Sequence, residues 1–307
     1  MNRLVGIVVA AIGLLVAVLS ILKIVPGLTA PGVMMIVLGG IIIGLSFINA
    51  PETDAAERMS TPNTLINSFF SPTELFQNLR RHPRWLVAAL IMAVLSATYS
   101  NLFMYRLTPE RVANYAIDKT LEMSFLNDDA RKQIESSRAA TIEESKNPVA
   151  RAGQAVSSFG WQVIGYSILA GIFLLFGLAM GGNINFWQAF SVAVYALFPV
   201  AVIRFILNTV VLFIKDPIDI HPITGQSSLI QDNLNFLVTP ADNPVIYVFL
   251  GSLSILWFYW VWLNATGLKN AGERISGSTA WTASLVIYGA LVLLGAVSAF
   301  LFPSFIS

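Results

Sequence analysis

The chain has 307 residues, 56% of them hydrophobic and only 11% charged, with a formal net charge of +1 and no cysteine. An ordinary soluble domain carries roughly 25% charged residues, so the usual charged coat is missing and lipid must face most of the chain. The near-neutral balance leaves no electrostatic footprint for nucleic acid, and the lack of cysteine removes disulfides, thiolate nucleophiles and cysteine zinc sites together.

A spanning helix needs about 20 mostly apolar residues to cross roughly 30 Å of hydrocarbon. Seven stretches qualify, at 4–24, 31–48, 85–105, 159–180, 187–214, 245–263 and 281–302. They predict an all-α, polytopic membrane helix bundle of seven spans. No small-residue cleavage site follows the first apolar run and a second span comes at once, which predicts an uncleaved anchor rather than a secretory signal. The two Pro-Gly pairs of "KIVPGLTAPG" close these spans into an amino-terminal hairpin over 1–50. Residues 51–64 read as a polar linker, and 65–307 as a five-span domain. Gly40 and Gly44, and Gly177 and Gly181, stand four residues apart and predict close approach of helix backbones.

"FFSPTELFQNLRRHPRW" carries helix-start chemistry. Ser71 can cap, Pro72 suits the first position, Glu74 completes a capping box, and Phe70 with Leu75 can form a hydrophobic staple. Leu75, Phe76 and Leu79 share one face, with Asn78, Arg80 and Arg81 elsewhere. Pro83 ends the helix, and Trp85 stands where an interfacial aromatic belongs. The expectation is a short amphipathic helix lying on the membrane surface, against the plainer possibility of a linker helix packed on the bundle. Residues 106–157 hold eight basic and eight acidic side chains, which predicts solvated helices starting near Thr108 and at "NDDARKQI". Lysine and arginine in the short loops favour a cytoplasmic amino terminus, and seven spans then leave the carboxyl terminus outside.

Catalytic chemistry finds no foothold. His82 and His221 have no cysteine partners for zinc, and no phosphate loop, dinucleotide fingerprint or serine elbow occurs. All seventeen carboxylates fall outside the predicted spans. No catalytic residue, cofactor or metal site is therefore expected.

Arg204 is the exception to an otherwise apolar picture. An arginine at a span centre costs about 2.5–3.5 kcal/mol on insertion scales. The sixteen Val, Leu, Ile and Phe side chains of 187–214 return roughly 7 kcal/mol, so the segment still inserts. The guanidinium stays charged and needs partners. Pro199 removes an amide donor, frees the Tyr195 carbonyl one turn earlier and should kink the helix; Asn208 stands one turn beyond on the same face. A lipid phosphate is the third partner available. Arg204, Asn208, Tyr195 and Pro199 thus form a candidate intramembrane polar site.

Three stretches, "FFSPTELFQNLRRHPRW", "GGNINFWQAFSVAVYALFP" and "NFLVTPADNPVIYVFLGSLSILWFYWVWLNATGLKNAGERISGSTAW", together resemble the bacterial branch of the Yip-domain family, named for Ypt/Rab-interacting membrane proteins. The resemblance runs from about Leu65 to the end and leaves the first hairpin outside it. It implies a non-enzymatic, multi-span helical domain, with Pro199 in a structural role. The eukaryotic "DLYGP" motif is absent. The leading expectation is a scaffold or adaptor in membrane organisation or trafficking-like processes, in a bacterial inner membrane. Its partners would be the bilayer, anionic lipid, and a membrane protein or a second copy. The competing expectation is a small-solute or anion transporter using the Pro199 kink and Arg204.

Overall fold

The computed structural model describes residues 2–48, 57–123 and 125–306. All regular structure among them is helical, apart from one isolated backbone bridge between Asn183 and Glu273. Five helices are long and apolar enough to cross a membrane, and a bent pair raises this to six. The second apolar helix, Thr29–Leu45, is shorter at 17 residues. The chain divides into two compact units. One comprises Met1–Val94, Asn147–Pro199 and Leu263–Ala283; the other comprises Leu95–Lys146, Val200–Trp262 and Ser284–Ser307.

In the first unit, α1 (Asn2–Ile21) and α2 (Thr29–Leu45) form the expected hairpin. Its backbones touch through glycines spaced seven apart on each helix. A Cβ on Gly39 would lie 2.5 Å from the Gly6 carbonyl oxygen, and one on Gly13 would lie 2.7 Å from that of Gly32. Gly40 and Gly44 face open space instead, because only the other stripe of α2 meets α1. Gly177 does meet a neighbour, Ile184, whereas Gly181 sits in a turn at φ +79° with nothing near it. The Arg3 guanidinium lies 4.1 Å from the Phe47 ring centroid, so both hairpin ends share a level.

Residues 51–56 of the expected linker lie outside the described residues. From Thr61 the chain is already helical, as α3 (Thr61–Phe70), capped by the Ser60 hydroxyl. Next comes α4 (Pro72–Arg81), and here the expectation that its apolar face rests on lipid meets a correction. Leu75, Phe76 and Leu79 have no exposure. Phe76 and Val192 fill the space left by Gly267. Protein rather than lipid covers the apolar face. Ser71 makes no side-chain cap, because it also terminates α3, donating its amide to Asn67. Phe70 is 81% exposed while Leu75 is fully buried, so no staple forms; Phe69 turns inward instead, 5.9 Å edge-on from Phe198. Trp85 packs edge-on against Phe190 at 5.0 Å. Arg80 pairs with Glu273 at 2.6 Å and its carbonyl accepts from Gln188. Asn183 and Glu273 exchange backbone hydrogen bonds of 2.7 and 2.6 Å, and Trp187 donates to the Ile48 carbonyl.

The long helices α5 (Leu86–Leu107), α8 (Pro148–Ala179), α9 (Phe186–Ile214) and α13 (Gly277–Leu301) carry the apolar runs. Between α5 and α8 stand the predicted solvated helices, α6 (Pro109–Leu121) and α7 (Asp128–Lys146). Thr108 and Asn127 supply their caps. Arg138 of α7 reaches Asp118 and Asn114 of α6, and Lys146 reaches Glu110. The core of the second unit forms around Tyr99, Phe103, Leu107, Val112, Leu212 and Ile220.

The predicted sixth span is not one helix. It divides into α11 (Pro244–Ser252) and α12 (Ile255–Ala271), bent by 51°. The sequence there has no proline, only Gly251, Ser252 and Ser254 around the break.

Candidate functional site: a closed helix break beside Arg204

The segment between α9 and α11 is built rather than loose. A 3-10 turn at Pro217–Asp219, the short helix α10 (Thr224–Ser227) and a second 3-10 turn at Asn235–Leu237 shape it. Arg111 clamps its start, donating to the Pro217 carbonyl at 2.8 Å and to those of Ile218 and Ile220 at 3.4 Å. Tyr99 donates to the Gly225 carbonyl at 2.7 Å. A side chain on Gly225 would press on Phe103, Leu229 and Ile220, so the close approach requires glycine. His221 accepts the amides of Ile223 and Thr224 on Nδ1, at 3.2 and 3.1 Å. Its neutral form therefore carries the proton on Nε2, facing the Tyr115 hydroxyl at 3.1 Å. Burial, and then the nearby Lys119, hold the His221 pKa below its ordinary value.

Asn208 explains how this segment reaches the helix break. It is 3% exposed, and its Oδ1 accepts the amides of Leu229 and Ile230 at 2.8 and 3.2 Å. Two residues beyond Ile230, Asp232 meets the start of α12. Its Oδ2 accepts from the Ser254 hydroxyl and from the Leu256 amide at 3.2 Å, while its carbonyl accepts from Ile255. A carboxylate there satisfies orphan amides and complements the positive end of the helix dipole. The other half of the break is closed too. The Leu250 carbonyl accepts from Leu234, and the Ser252 carbonyl from the Tyr288 hydroxyl at 2.8 Å. Broken backbone within apolar surroundings persists only when such partners are present.

Arg204 lies one turn before Asn208. Its guanidinium carbon stands 5.1 Å from the Trp257 ring centroid, a cation–π arrangement. Its Nε is buried without a hydrogen-bond partner among the described residues. Asp232 acts on it electrostatically, with no direct ion pair among the described residues. The acid missing from the span is thus delivered by the following segment, pinned in place by Asn208. Leu207 and Val211 from α9, Lys215 just beyond it, residues 229–232, and Ile255 with Leu256 line an open, largely apolar pocket of about 630 Å³.

The expected four-residue site divides. Arg204 and Asn208 belong to this constellation, whereas Tyr195 and Pro199 fall in the first unit, whose boundary in α9 is Pro199 itself. Tyr195 is 1% exposed, and Arg84 is the charge that acts on it. Sequence reading missed Asp232, Ser254 and Trp257. "WFYWVW" reads as an aromatic belt, and only the location of the break separates Trp257 from its neighbours. Among the described residues no cluster of His, Asp or Glu could hold a metal.

A family model described as the Yip1 domain matches residues 66–299, about three-quarters of the chain. Comparison with curated proteins and with solved structures finds no match. The matched range takes in α4, the whole of the Arg204 constellation and Tyr288, and leaves out α1 and α2. With its several apolar helices and this match, the chain belongs to the Yip1-domain family, as a multi-pass helical protein of the membrane.

Proposed function

We propose that the chain is a non-enzymatic membrane scaffold or adaptor, organising bilayer and partner proteins in a bacterial inner membrane. The observation that carries this is α7. It is 19 residues long, buries none of them, and is held to α6 by ion pairs. An unburied charged helix offers a polar contact surface, and either a membrane protein or a second copy of the chain is a fitting partner.

A transport path along Pro199 and Arg204 is not favoured. The groups such a path would use are spent on closing the chain: Asp232 caps α12, Asn208 holds the loop, and Arg204 lies against Trp257.

The proposed threading has seven crossings, with the amino terminus cytoplasmic and the carboxyl terminus outside. Contacts within the first unit support it. The bridge between Asn183 and Glu273 brings those two turns together, which supports a reading in which α9 and the bent pair together leave and return. In this reading the bent pair is one crossing rather than a re-entrant loop. Arg3 beside Phe47, Trp187 on Ile48 and Arg80 on Glu273 add the remaining turns to that side, which holds most of the short-loop cations.

Photo-crosslinking from Gln133 of α7 in native membranes tests the scaffold reading. A discrete adduct, to a membrane protein or to a second copy, is expected. A chain that stays bare in native membranes, while a lipid-facing control position crosslinks normally, would overturn it.

A further inference from the structure

The carboxyl-terminal ends of α4 and α12 meet at a pocket of about 380 Å³ within the first unit. Glu74, Gln77, Arg80 and Arg81 line it from α4, and Lys269 and Asn270 from α12. Three of these side chains are basic and one is acidic. The wall is braced from outside the pocket. Arg84 donates to the Met59 carbonyl and to Asn78 Oδ1, both lining groups. Gln77 donates to Asn270 Oδ1 at 3.4 Å, joining the two helices across the opening. Glu273 engages one terminal nitrogen of Arg80, which leaves the rest of that guanidinium for another acceptor.

Its place in the fold matters as much as its charge. Arg81 precedes the apolar helix α5, which starts at Leu86, and Lys269 precedes α13, which starts at Gly277. The pocket therefore stands beside the starts of two apolar helices, which in the proposed threading is headgroup depth on the side that gathers the short-loop cations. Basic pockets between helix ends on that side are suited to anionic headgroups, and an arginine fork suits phosphate oxygens.

We propose that this pocket binds a phosphate-ester anion, with Arg80, Arg81 and Lys269 as its ligands and Glu74 setting its affinity. The phosphodiester of an anionic lipid and a free phosphate share that chemistry, and depth favours the lipid. The site is separate from the α7 surface, so neither stands or falls with the other.

The full chain is reconstituted in nanodiscs of phosphatidylcholine containing a minority of phosphatidylglycerol, and bound lipid is counted by native mass spectrometry. Saturable retention of phosphatidylglycerol over phosphatidylcholine is expected. Arg81→Gln with Lys269→Gln should weaken it about fivefold for each charge removed. Glu74→Gln should strengthen it, an opposite sign that a merely unfolded pocket would not produce. Lys269 is exposed, so Lys269→Gln alone keeps the test informative if the double variant folds poorly. Inorganic phosphate that displaces the lipid at millimolar concentration, with the same dependence on these residues, would overturn the lipid as source. Equal retention in wild type, Lys269→Gln and Glu74→Gln would overturn the site.

Discussion

Arg204 sits in an apolar helix because its neighbours take up the cost in three ways. The Trp257 ring offers its negative face, Asp232 supplies a field of opposite sign, and the half-buried position limits exposure to lipid. A desolvated cation–π contact contributes about 2 kcal/mol and an exposed one about 0.5–1. A double-mutant cycle with Arg204→Met and Trp257→Leu should therefore give a coupling of about 1 kcal/mol in unfolding from mild detergent. Additive effects would show that the stacked geometry contributes nothing. His221 makes a second residue-scale prediction, through pH. Its native pKa is lowered by burial and then by Lys119, so the unfolded chain binds the proton more readily. Its contribution is complete above the ordinary value of 6.5 and is lost as pH falls through the lowered native value. Melting temperature should fall with acidification over that window, and His221→Gln should flatten the dependence. Protonating Nδ1 would also break the two amide contacts that shape the loop.

At the scale of elements, composition and periodicity carried the apolar helices, the capped starts of α6 and α7, and the opening hairpin. They could not say which face of an element meets which neighbour. Leu75, Phe76 and Leu79 form the same stripe whether lipid or protein covers it, and only the glycine at position 267 makes room for Phe76. The break between α11 and α12 was hidden for a related reason. Its partners, Asp232, Leu234 and Tyr288, lie 16 or more residues from the groups they bond, and no local signal names them. Spacing puts Arg204 and Asn208 on one helix face, but it does not show that Asn208 serves the Leu229 and Ile230 amides instead of the guanidinium, nor which acid acts on Arg204. The hairpin gives the sharpest test of face assignment. Alanine at Gly39 would bring a Cβ to 2.5 Å from a backbone oxygen, whereas Gly40 has nothing within 4 Å. Overpacking costs about 1–3 kcal/mol, and an open surface site less than about 0.5. Gly39→Ala should lower the melting temperature and Gly40→Ala should leave it unchanged; equal effects would mean that the helices meet on the other stripe.

For the whole molecule, the family match and the contact units cut the chain differently. The match begins at residue 66, after the hairpin, yet α2 lies against α8 within one unit. Gly160 has its Cβ space filled by Met34, and Gly153 by Leu28 and Pro31, so the hairpin is seated on the family domain rather than tethered to it. Seating also fixes direction. Ile48 meets Trp187, and Asn183 meets Glu273, so the end of α2, the start of α9 and the start of α13 open on one side. In the second unit, Phe125 stacks edge-on with Phe302 and Ser304 donates to Lys119, which places the carboxyl end with the α6–α7 helices. The cysteine-free chain makes this measurable, since any thiol introduced is the sole one. Cysteines at Ser136 and Ser304 should react with an impermeant maleimide added to intact spheroplasts, and cysteines at Gln77 and Ser276 only after permeabilisation. If the bent pair entered and left by the same face, Ser276 would label with Ser136 and the backbone bridge at Glu273 could not form. Reactivity at Ser276 in intact spheroplasts, with Gln77 still protected, is therefore the pattern that refutes seven crossings.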